Sequence, residues 1–159
     1  MNETEKLTSN ELIKEIKRIV KRRIISHVKQ SEKFGIMPPK EEDLIELIHD
    51  NYKDGFACEY CHNQLKMKDE YPYLNVVSID HKIPIALKGT NEKSNLAAVC
   101  HRCNIVKSTL TADTYQEVLK LILLHNPPLL DKLFKEIFIG RMANKLERVY
   151  GMQDEFNDR

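Results

Sequence analysis

Seven residues decide how this chain is read: SIDHKIP, Ser78 to Pro84. They close the run YLNVVSID, whose apolar and β-branched composition is that of a strand. At its end an acid and a histidine stand side by side, Asp80 and His81, and Pro84 stops the pattern soon after. An Asp-His pair alone reads as an exposed or capping dipeptide; its surroundings give this one weight. Cys58 and Cys61 (CEYC) lie before it, Cys100 and Cys103 (CHRC) lie after it, and the chain has no other cysteine. In a reducing compartment two CxxC pairs read as a tetrahedral four-thiolate zinc site, closed and structural, ahead of disulfides or a redox pair. The interval between the pairs is longer than in a common zinc ribbon, so the metal frame encloses something else.

Working outward, the segment from about Asn10 to Gln30 sets Leu12, Ile13, Ile16, Val20, Ile24 and Val28 at helical spacing, and Thr8 with Glu11 fits a capping box. Lys14, Lys17, Arg18, Lys21 and Arg22 fall on the opposite face, where they read as a solvated surface or as phosphate contacts that position a duplex. FGIMPP breaks this helix. KEEDLIELIHDNY predicts a second, with acids in the first turn, where the helix dipole favours them. After Pro84, KGTNEKSN reads as a loop and NLAAVC as a second short strand running into the second cysteine pair. A short helix is expected from Cys100 through about Ser108. Thr111 then caps ADTYQEVLKLILLH, and NPP ends that helix. A last helix starts near Leu129, with Leu130, Leu133, Phe134, Ile137, Met142, Leu146 and Val149 as its inner stripe. The polar tail beyond Gly151 is expected to fray.

This order predicts an α+β protein, helical overall, with a small zinc-stapled core around a short two-stranded antiparallel sheet. Its divisions are a helical region with a basic face (residues 1–53), the core (54–111) and a C-terminal helical region (112–159), packed as one unit. A length of 159 residues suffices for a real core. The net charge of +1 does not by itself announce a nucleic-acid binder. No apolar run is long enough to span a membrane, and MNETEKLTSN has neither a basic n-region nor an apolar h-region. A cytoplasmic protein with no membrane partner is therefore expected.

Taken in order, the elements are Cys58/Cys61, a strand ending in Asp80-His81, Pro84, Asn95-Leu96, Cys100/Cys103, then Asn104 and Lys107. This order resembles the HNH endonucleases, a branch of the ββα-metal nucleases, over about Phe56 to Leu110. The resemblance implies a metal-dependent endonuclease that hydrolyses DNA phosphodiester bonds, using one divalent ion, Mg²⁺ or Mn²⁺, beside the structural Zn²⁺ at the four cysteines. It implies His81 as general base, and Asp80 and Asn104 as ligands of the catalytic ion. Asn95 would hold the His81 segment in shape through backbone hydrogen bonds, and Lys107 would point to the phosphate. The commonest family pattern has histidine where this chain has Asn104, although an amide oxygen also suits a hard cation. Successive strand residues point to opposite faces, so Asp80 and His81 are expected to share a site only if the strand has ended or bulged there.

The alternative is a catalytically degenerate zinc-stabilised DNA-binding or assembly module, motivated by Asn104 and the basic first helix. A third reading is a protein-binding module in which the flanking helices take a protein partner or a second copy as a homodimer. Small nucleases of this type serve in homing, restriction and phage DNA metabolism or packaging. The sequence does not choose among these roles, nor between a nick and a double-strand break. His27, His49, His62 and His125 carry no assignment, His62 reading as a neighbour of the zinc site and not a ligand. Tyr52, Tyr60, Tyr71 and Tyr73 read as packing or base-stacking residues.

Overall fold

The computed structural model describes residues 8–68 and 74–150, the last six of these by their backbone alone. Tyr71, Tyr73, the side chains of Leu146 and Val149, and the tail beyond Gly151 lie outside the described residues. Helix α1 (Ser9–Phe34) starts at the expected capping box: Thr8 accepts from the Glu11 N–H while Glu11 accepts from the Thr8 N–H. It ends at Gly35, whose φ of +64° closes the last turn through a bond to Glu32 O. Glycine takes that left-handed conformation without a Cβ penalty. Helix α2 (Glu41–Lys53) opens with Glu41, Glu42 and Asp43 against its positive end.

Strands β1 (Val77–His81) and β2 (Leu96–Cys100) pair antiparallel, with Asp80 opposite Ala97 and His81 opposite Leu96. Both are buried along their whole length, which is why β2 reads as a continuous apolar run and not an alternating one. Helices α3 (His101–Lys107), α4 (Ala112–His125) and α5 (Pro128–Tyr150) follow, α4 being capped by Thr111 on the Thr114 N–H as its sequence predicts. Among the described residues the molecule is thus α+β and predominantly helical, with one two-stranded sheet. None of the helices is long and apolar enough to cross a membrane.

A two-stranded sheet has only edges, and unpaired edge groups are costly when buried. Side chains cover them here. Glu59 closes β2, since its N–H donates to Ala98 O and its carboxylate accepts from the Ala98 N–H. On the outer edge of β1, Asn104 donates to Ile79 O and Lys107 donates to His81 O. Those two residues lie on neighbouring turns of α3, which therefore runs along the strand edge.

The helices wrap this sheet: α1 packs on α2, α2 on β2, α3 on both strands and on α5, and α4 on α5. One cluster unites Ile16, Ile19 and Val20 of α1, Leu44 and Ile48 of α2, Val77 and Val99 of the sheet, and Tyr115, Leu119 and Leu130 of the C-terminal helices. Two stripes differ from expectation. In α1 the inward face continues through His27 and Ser31, polar residues that periodicity of apolar side chains does not flag. Among the described side chains of α5 only Leu130 and Phe134 are buried, while Met142 is 44% exposed, because this helix runs on past the core. Phe134 stacks on Phe138 and meets the His101 ring edge-on, which anchors α5 to α3. Phe134→Ala is accordingly expected to lower stability by about 3–5 kcal/mol; urea denaturation showing a loss within error of zero would detach α5 from the cooperative unit.

Candidate active site and metal centre

The cysteine pairs come from two local structures that the sequence specifies separately. Cys58 and Cys61 bracket a tight turn in which the His62 N–H donates to Cys58 O and the Cys58 N–H to Asn63 O. Cys100 ends β2 and caps α3, its sulfur accepting from the Cys103 N–H at 3.4 Å. The four sulfurs all lie within 4.8 Å of one another, and Cys61 Sγ is 3.7 Å from Cys100 Sγ. Tetrahedral Zn–S bonds of about 2.3 Å place sulfurs roughly 3.8 Å apart, so the cluster is positioned to bind a metal such as zinc. No disulfide forms between them. His62 is outside the group. Arg102 sets a guanidinium 3.9 Å from Cys61 Sγ and pairs with Asp131 of α5, placing positive charge beside a thiolate cluster.

Beside this frame a cavity of about 340 Å³ is lined by Asp80, His81, Asn104 and Lys107 together, with His27 of α1 and Arg141 of α5 at its walls. No bulge separates Asp80 from His81, both of which are paired strand residues, and β1 ends at His81, in line with the strand end expected there. They share the cavity because it straddles the outer edge of β1. Opposite faces of a strand meet at its edge, so one side chain from each flanks the opening.

Asp80 is buried, and its Oδ2 accepts from the Tyr60 hydroxyl at 2.7 Å and faces Lys107 Nζ at 3.0 Å. Burial and the Asp80 charge hold the Tyr60 hydroxyl well above the usual tyrosine range, so it donates throughout. Lys107, expected at the phosphate, is 0% exposed. Its ammonium lies between the Asp80 carboxylate and His81 O, 2.8 Å from the latter. Asn104 donates through Nδ2 to Ser78 Oγ (2.8 Å) and Ile79 O (3.2 Å), which turns its oxygen away from the strand edge.

His81 Nε2 lies 2.7 Å from Asn91 Oδ1, and its ring packs on that of His27 with centroids 5.1 Å apart. Burial pushes the His81 imidazole below its ordinary pKa, against the Asn91 hydrogen bond and the Asp80 charge, which act the other way. Asn95 ties the following loop: Oδ1 accepts from the Ile83 N–H, and Nδ2 donates to Ile83 O and Thr90 O. That loop closes so tightly that a Cβ on Gly89 would stand 1.8 Å from Ile83 O. Asn95 itself is not in the cavity wall.

Sequence reasoning missed Tyr60, Asn91, Ser31 and His27. Tyr60 sits inside a CxxC and Asn91 in a loop whose asparagines look alike, so neither has a periodic signal; only the tertiary contacts single them out. Tyr52 packs on Phe56.

A family model for HNH endonucleases matches residues 58–109, about a third of the chain, and with the four clustered cysteines it supports the HNH family for this segment. No curated protein matches the chain. The HNH module links the segment to nuclease or nucleic-acid-binding function.

The metal cluster and His27 each give an expected outcome. Metal analysis of purified protein should find one zinc per chain, and its removal by a strong chelator should unfold the module, since such sites supply on the order of 10 kcal/mol. His27 is held at a pKa of about 4 by burial, then by His81 and Arg23, against an ordinary 6.5. The fold thus favours its neutral form. Stability from this source is complete above 6.5 and declines as pH falls towards about 4; the unfolded chain binds the extra proton across that window. The full effect is roughly 3 kcal/mol. His27→Gln should flatten that part of the stability profile, and an unchanged slope in denaturation at several pH values would refute the assignment.

Proposed function

We infer that this protein is a metal-dependent HNH endonuclease that hydrolyses phosphodiester bonds in DNA. The observation that carries the reading is the convergence of Asp80, His81 and Asn104 on one cavity at the edge of β1, in the segment matching the HNH family. His81 is the general base. An imidazole held neutral by burial can accept a proton from water at cellular pH. The water oxygen then forms a bond to phosphorus, the bond from phosphorus to the leaving oxygen breaks, and the proton stays on His81. Among the described residues Asp80 Oδ1 and Asn104 Oδ1 make no hydrogen bond, and they are hard oxygen donors, a set that fits Mg²⁺ or Mn²⁺. Such a cation held by Asp80 and Asn104 would supply positive charge for the phosphate and its leaving oxygen.

In this reading Lys107 clamps Asp80 and the His81 backbone, so phosphate contact falls to cations at the cavity wall, Arg23 and Arg141. Asn95 and Gly89 shape the loop behind the base. The four-cysteine site leaves no open coordination position and is structural.

One observation favours a second reading. Lys107 already neutralises the Asp80 carboxylate, as in a site that has kept its fold as a zinc-stabilised DNA-binding or assembly module and lost catalysis. A single experiment separates the two. Zinc-loaded protein and its His81→Ala variant are incubated with supercoiled plasmid and Mg²⁺, Mn²⁺ or a weak chelator. The nuclease reading expects nicked or linear product from wild type only, with the variant slower by ~10²-fold or more. DNA binding without cleavage by either protein would leave the second reading standing.

A further inference from the structure

The hydrogen bonds behind His81 form a chain whose direction can be worked out bond by bond. Ser31 Oγ donates its one proton to His27 O, 2.7 Å away in α1. Its oxygen is therefore an acceptor for Asn91 Nδ2 at 2.8 Å. The same Nδ2 lies 2.6 Å from Met37 O, a main-chain carbonyl that can only accept. Both protons of the Asn91 amide are thus committed, and turning the amide over would set oxygen against oxygen. Asn91 Oδ1 has no proton to give, so in its 2.7 Å contact with His81 Nε2 the imidazole must be the donor. A neutral imidazole carries one ring proton, so Nδ1 is left with its lone pair. Among the described residues Nδ1 has no hydrogen-bond partner, and it is not sealed off as a buried unpaired atom, which leaves it open to the cavity that His81 lines.

We propose that Asn91 is a positioning residue that fixes His81 as the Nε2–H tautomer, with Nδ1 presented to the cavity, and that Ser31 of α1 and the Met37 carbonyl set the direction of Asn91. The proposal rests on His81 being the base of the reaction. It extends the active site beyond the HNH module: Ser31 and Met37 lie before residue 58, where the family match begins. The N-terminal helix is then part of the catalytic apparatus as well as its packing. The titratable and charged groups around His81 are His27 and Arg23 from α1, Asp80 from its own strand, His101 and Lys107 from α3, and Arg141 from α5. None of them contacts Nε2 within hydrogen-bond distance; Asn91 does.

The test reads the tautomer directly. Zinc-loaded protein labelled with ¹⁵N-histidine is studied by long-range proton–nitrogen correlation in mildly alkaline buffer, and His81→Ala identifies the His81 signals. Wild type should show a protonated Nε2 and a bare Nδ1. Asn91→Leu should move both nitrogens towards the average of the two tautomers, with Ser31→Ala shifted the same way by less. With plasmid as substrate, Asn91→Leu should lower kcat on the order of 10²-fold while leaving DNA affinity unchanged. Nδ1 protonated in wild type, or a tautomer unchanged in both variants, would overturn the proposal. Should Asn91→Leu fail to fold, the wild-type spectrum and Ser31→Ala still decide. An inert wild type with the expected tautomer would uphold the hydrogen-bond chain and remove the nuclease reading instead.

Discussion

The buried ion pair between Lys107 and Asp80 is the constraint on which the site depends. Both groups are out of water, and removing either would strand the other as an uncompensated charge, at a cost of about 3–5 kcal/mol. The ammonium also accepts a second duty at His81 O, so one side chain fixes the carboxylate of residue 80 and the backbone of residue 81. Tyr60, from the zinc turn, grips the same carboxylate oxygen. The position of Asp80 is thereby referred both to α3 and to the turn of the first cysteine pair, and these two contacts tie the cysteine cluster to the cavity.

Burial at the site acts in two opposite ways. At Asp80 it is met by partners, the Lys107 ammonium and the Tyr60 hydroxyl, both on the carboxylate. For the two histidines it prevails, and both rings are held below their ordinary pKa. His27 and His81 touch, and two imidazolium ions at that separation would repel, which adds to desolvation in keeping His27 neutral.

Much of the fold could be read in the chain, for physical reasons that differ by element. Thr8 with Glu11 and Thr111 with Thr114 announce helix starts because capping is local, decided within one turn. The cysteine pairs are legible because sulfur ligation demands a fixed spacing. The inward face of α1 was only half legible: Ile16 and Val20 follow the apolar period, whereas His27 and Ser31 are buried by what lies across from them, a loop about sixty residues further on. The condition that the strand end or bulge at Asp80 and His81 came from treating the sheet as a surface with two faces; β1 does end at His81. In a sheet of two strands the edge is as available as either face, and α3 uses it. Lys107 follows the same logic: it is expected at the phosphate from its place in the motif, and only the fold reveals a carboxylate and a carbonyl waiting for it.

The closure of the sheet edges by side chains has a consequence for how such a module can vary. With Ala98 taken by Glu59, and Ile79 and His81 taken by α3, those stretches of ladder are not available to an added strand. Enlargement by extending the sheet would dismantle the very contacts that hold Asn104 and Lys107 in place. Helices laid against the outside leave those ladder bonds intact, and α1, α2, α4 and α5 are placed in that way, with α1 and α5 also reaching the cavity through His27 and Arg141. The sheet is in this sense sealed at its edges: growth around it comes as helices, and those that meet the cavity add to its walls.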